Sequence, residues 1–154
     1  MAQNMVKLQD RMVTPGDYRK LHQLFMSVGM EGVPADFEEF RVLAPRIYYH
    51  GIFNGPELVA CLGLYFDMRH PGGLGFEASC YPEWKTYWAT PRLFKKIFDI
   101  AFNHFNATYL FAETNKDNVQ RALVTLGFTK LLSSSDNVFT YVLNNYNVKP
   151  RLRA

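Results

Sequence analysis

The residues best spaced for chemistry are basic. Lys85, Arg92, Lys95 and Lys96 gather around the point where the loop Lys85–Thr90 gives way, at Pro91, to a helical pattern. A helix start presents unpaired backbone N–H groups and the positive end of its dipole, so four cations beside one suit a small polyanion such as a diphosphate. The same charges equally suit a solvated helix face. Trp84, Tyr87 and Trp88 crowd the same stretch. Aromatic residues fill cores, and they are also enriched at protein interfaces. Cysteine and histidine offer no comparable grouping. Cys61 and Cys80 lie in strand-like runs without CxxC or Cys/His spacing and read as reduced core thiols. His22, His50, His70 and His104 are scattered, so no metal is expected.

Length and composition narrow the classes. A chain of 154 residues, 48% hydrophobic and 20% charged, can close a core without metal or disulfide staples. One domain over residues 1–146 is expected, followed by a basic tail over 147–154 with Lys149, Arg151 and Arg153. A net charge of +3, partly in that tail, is too mild for a nucleic-acid binder, which needs a basic stripe on a folded element. The opening MAQNMVKLQD lacks an apolar stretch, and the run Leu58–Phe66, broken by Gly63, is far too short to span a bilayer. A soluble, cytoplasmic protein with no membrane partner is the expectation.

The elements that must position these residues follow from periodicity. Val6–Val13 reads as a strand, and Thr14-Pro15 opens a helix whose Tyr18, Leu21, Leu24, Phe25 and Val28 recur at helical spacing until Gly29. A short helix over about 34–42 follows, with Phe37 and Phe40 on one face and Asp36, Glu38 and Glu39 on the other; Pro45 ends it. Arg46–Phe53 and Glu57–Asp67, joined by Asn54-Gly55-Pro56, read as a hairpin, and Gly75–Tyr81 as the next strand. From Pro91, with Thr90 as N-cap, Phe94, Ile97, Phe98, Ala101 and Phe105 form the apolar stripe of a long helix. Thr108–Glu113 reads as a buried strand, Asp117–Leu126 as a helix stopped by Gly127, and Phe128–Leu132 and Val138–Leu143 as two closing strands. Such an alternation predicts an α/β fold, a mixed twisted sheet of about seven strands with helices on both faces.

This order resembles that of the GNAT (N-acetyltransferase) superfamily, and two motifs fall in the matching places. Ala112–Phe128, AETNKDNVQRALVTLGF, is similar to the family's strand, Asn-led helix and closing Gly-Phe, with Asn115 or Asn118 as the leading Asn. Cys80–Pro91, CYPEWKTYWATP, occupies the place of the acyl-CoA pyrophosphate loop. The resemblance implies acetyl-CoA as co-substrate and an acetyl transfer to a primary amine of a protein or small molecule. It assigns the coenzyme to Cys80, Tyr81, Lys85, Trp88, Ala89, Thr90, Arg92, Asn115 and Asn118, with backbone groups around Cys80 and Tyr81 facing the thioester oxygen. Transfer requires a base for the amine proton. Glu77 is the first candidate, with Glu83 and Glu113 as alternatives, and Glu31, Asp36, Glu38 and Glu39 are acids that would attract a cationic acceptor.

Two positions depart from the family pattern. Trp88 stands where the loop has glycine, so its side chain either covers the site or fills the core, and Leu123 stands where many members have a tyrosine that protonates the leaving thiolate. Tyr81 and Tyr87 are possible replacements for that acid. The same departures, with the aromatic cluster, support a second reading. The chain is similar to the divergent GNAT-like proteins that bacteriophages encode, and would then be an inactive fold that binds a macromolecule. Either reading suits a bacterial or phage-infected cytoplasm.

Overall fold

The computed structural model describes residues 7–131 and 138–146. The tail over 147–154 and the loop between the last two expected strands lie outside the described residues. Seven strands, β1 (Gln9–Met12), β2 (Tyr48–Asn54), β3 (Glu57–Tyr65), β4 (Gly73–Cys80), β5 (Tyr109–Thr114), β6 (Thr129–Lys130) and β7 (Phe139–Asn144), form one sheet in the order β1-β2-β3-β4-β5-β7-β6. The sheet is mixed, as expected. β1, β2 and β3 run antiparallel, β4 and β5 pair in parallel from Gly73↔Tyr109 to Gly75↔Phe111, and β7 is antiparallel to both β5 and β6. Among the described residues no helix is long and apolar enough to cross a membrane.

The chain divides into two compact units, one from the residues up to Tyr65 with Glu77–Thr90, the other from Phe66–Phe76 with the residues from Pro91 onward. In the first, helix α1 (Tyr18–Val28) buries Tyr18, Leu21, Leu24 and Phe25 together with Tyr49 and Cys61. Val28, expected to close that stripe, is exposed, because the helix ends there at left-handed Gly29. Helix α2 (Phe37–Leu43) starts later than proline placement suggests: Asp36 caps it, accepting from the Glu39 N–H at 3.1 Å, and Phe40 turns onto Tyr18 and Phe25. The turn before α1 is held by Asp17, which accepts from Arg11, from the Thr14 N–H at 2.9 Å and from the Thr14 hydroxyl at 3.0 Å.

In the second unit, Phe76 sits among Phe94, Phe98 and Phe128, with centroids 6.1, 5.4 and 6.1 Å away. The long helix expected from Pro91 is regular only over α3 (Pro91–Asp99) and continues as a π-helical turn over Ile100–His104. The Phe105 N–H bonds the Ile100 carbonyl, five residues back, at 3.1 Å. Such a wide turn shifts the inward face, so Phe102 is buried where Phe105 was expected, and Phe105 is exposed. Helix α4 (Asp117–Thr125) has Lys116 at its N-cap, so neither Asn115 nor Asn118 caps it; it ends ahead of Gly127, at φ 100°.

Candidate functional site

Glu77 is set on β4 by a gap in β3. A Cβ at Gly63 would lie 2.9 Å from Glu77 Oε1, 3.0 Å from its Cγ and 3.3 Å from Tyr49 Cε1. Gly63 pairs directly with Tyr49 of β2. Any larger residue there would force the Glu77 side chain, and the Tyr49 ring with it, to shift from this spot. Burial raises the Glu77 carboxyl to about 7. Burial, with the Glu77 charge second, also raises the Tyr49 phenol and the Cys61 thiol, so both stay neutral neighbours.

Glu77 lines a cavity of about 300 Å³. Its walls are apolar: Met30 and Val33 from the turn after α1, Phe40 from α2, Ile47 ahead of β2, then Tyr49 and Tyr65. Glu31 and Arg46, both exposed, also line it. Of the four acids read as attractants for a cation, Glu31 alone borders this cavity. Asp36 caps α2, Glu38 pairs with Arg41 at 2.7 Å, and Glu39 is exposed on α2.

The other candidates scatter. Tyr81 packs against the first-unit core and lines a separate cavity of about 330 Å³ with Lys20, Glu57 and Glu83, not the one that Glu77 lines. Its N–H already donates to the Val59 carbonyl at 3.1 Å. Its phenol is raised by burial and then by Glu57 and Glu83. Glu113 is paired with Arg69 at 3.1 Å, and Glu83 is exposed. Cys80 is half-buried at the end of β4.

In the loop, Trp88 is buried, with 7% of its surface exposed, whereas Lys85, Tyr87, Ala89 and Thr90 are exposed. Of its two readings, the indole takes the core. Arg92 is exposed in the first turn of α3 and lines an open groove with Lys95 and Lys96, where Lys95 is bonded to Asp99 at 2.8 Å. Asn115 and Asn118 are exposed before and in the first turn of α4, and Leu123 is buried. Among the described residues no group of three His, Cys, Asp or Glu could hold a metal.

Sequence reading passed over Gly63, Tyr49, Tyr65 and Arg46. The signal for the first was present: an isolated glycine inside an apolar strand marks a close approach.

No protein-family model matches the chain, and no curated protein matches it by sequence. Solved structures do. The spermidine N-acetyltransferase of Vibrio cholerae superposes with a TM-score of 0.70 at 16% identity, over 90% of this chain and 94% of that one. The ribosomal-protein-S5-alanine acetyltransferase of Vibrio fischeri superposes with a TM-score of 0.70 at 15% identity, over 93% of this chain and 96% of that one. The chain has the GNAT fold. Within it, the strand, helix and Gly-Phe of the first motif are β5, α4 and Gly127-Phe128, and the second motif runs from the end of β4 to the start of α3.

Proposed function

We propose that this GNAT-fold chain is a cytoplasmic, acetyl-CoA-dependent N-acetyltransferase acting on a primary amine of a small molecule or protein, with Glu77 as general base. The observation that carries the reading is Glu77 itself: a carboxyl raised to about 7, lodged over a strand glycine, in an apolar cavity. An alkylamine is protonated at neutral pH and cannot attack until it gives up that proton. A base titrating near the working pH takes it with the best balance of availability and strength.

For the coenzyme, the exposed stretch from Lys85 to Arg92 supports the reading. Trp88 turns its ring into the core, so the side chain that replaces the family's glycine does not stand at the surface, and small Ala89 and Thr90 precede the N-terminus of α3. Backbone N–H groups at the N-terminus of α3, with Arg92, suit a pyrophosphate, and Lys85, Cys80, Asn115 and Asn118 remain assigned to the coenzyme by resemblance. Bound acetyl-CoA supplies an acetyl thioester whose leaving thiol, about as acidic as cysteine at roughly 8.5, needs little help from an acid, so a leucine at 123 is tolerable.

Calorimetric titration with acetyl-CoA tests this: micromolar binding, weakened about tenfold by Lys85→Ala or Arg92→Ala, is expected. Absence of binding at millimolar coenzyme would leave the alternative, an inactive fold that binds a macromolecule. Exposed Tyr87, in ring contact with Trp84 at 5.9 Å, is the surface that favours it.

A further inference from the structure

The Glu77 cavity constrains the chemistry of what enters it. Its lining is hydrocarbon and aromatic, the Tyr49 phenol and the Cys61 thiol behind it stay neutral, and its charged groups are Glu77, Glu31 and Arg46. Glu31 and Arg46 are exposed and opposite in sign, so they add no net charge, and Glu77 is the carboxyl that burial sets among the apolar walls. One ammonium satisfies the Glu77 carboxylate. A second ammonium taken in among Met30, Val33, Phe40 and Ile47 would lie against hydrocarbon, and burying a cation away from a counter-charge is strongly unfavourable. A volume of about 300 Å³ is at the small end for ligand sites.

We propose that this cavity takes a small apolar monoamine, one nitrogen at Glu77 and a hydrocarbon or aryl body against Phe40, Ile47 and Val33. As the acceptor of an acetyl group this rests on the reading above; as a binding site it stands without it. The small volume and apolar walls disfavour a polyamine, although one structural neighbour is a spermidine N-acetyltransferase.

The experiment is calorimetry at pH 8, without coenzyme, using 2-phenylethylamine and spermidine as probes. The expected result is 2-phenylethylamine bound about tenfold or more tightly than spermidine, and weakened about tenfold by Val33→Trp, which fills the cavity. Equal or tighter binding of spermidine, or no binding of 2-phenylethylamine, would overturn the inference; the two amines on the unaltered protein decide this whatever Val33→Trp does to folding. An unchanged affinity in a folded Val33→Trp protein would also overturn it, since the amine would be elsewhere. Addition of acetyl-CoA separates the two claims: binding of 2-phenylethylamine in the cavity with no acetylation leaves the amine site intact and removes its role as the acetyl acceptor.

Discussion

An alkylamine with a pKa of roughly 10.4 holds its proton at neutral pH, and in the proposed reaction Glu77 is the group that takes it. The neutral carboxyl cannot accept, so acetyl transfer should rise with pH through about 7 and then level. Glu77→Gln should lower kcat/KM by about 10²- to 10⁴-fold and abolish that rise, measured by a pH profile of acetyl transfer. The same burial has the opposite effect on stability. Because the folded protein favours the neutral acid, the contribution of Glu77 is full below the ordinary value of 4.5, is lost as pH rises to about 7, and stays lost above it. Urea unfolding at pH 8 should therefore find Glu77→Gln more stable than the parent by about 2 kcal/mol, with the difference gone at pH 4. Gly63→Ala places a methyl against Glu77 and Tyr49, and should reduce kcat far more than it reduces coenzyme affinity. The type and place of Glu77 were legible in the sequence. Its partners were not, because facing and register decide which side chains share a cavity, and a sequence shows neither.

At the scale of elements, periodicity predicted the α-helices and strands of the described residues within a few residues, and failed where local bonding departs from the regular repeat. The π turn after α3 is such a place. A straight helix would bury Phe105, whereas the wide turn buries Phe102, which meets Tyr146 at 5.1 Å. Phe102→Ala should cost about 3–5 kcal/mol in denaturant unfolding and Phe105→Ala less than about 1 kcal/mol; the reverse order would mean a regular helix. Asp17 shows how a single carboxylate secures an element boundary. Arg11 and the Thr14 bonds hold it below the ordinary carboxylate range, so its stabilisation is present above about 3.8 and fades as pH falls below that value. Asp17→Ala should cost about 2 kcal/mol at pH 7 and progressively less in acid, read from the same unfolding curves.

Across the whole molecule, the alternation of elements foretold a seven-stranded mixed sheet, and solved acetyltransferases share that fold at 15–16% identity. The chain's division between Phe76 and Glu77 was not legible, because both lie in one strand: Phe76 joins the aromatic cluster of the second unit, while Glu77 lines the cavity of the first. Nor was the fate of Trp88, since a tryptophan in a loop motif gives no sign of turning inward. The central claim is acetyl transfer with Glu77 as base, and the most direct test is mass-spectrometric detection of acetylated 2-phenylethylamine at pH 8 from acetyl-CoA, with the parent and Glu77→Gln side by side. Acetylation by the parent and a loss of about 10²-fold or more in the variant is the predicted result. Equal acetylation by both would contradict the role of Glu77, and none by either, with acetyl-CoA bound, would contradict the transfer of acetyl to this class of amine.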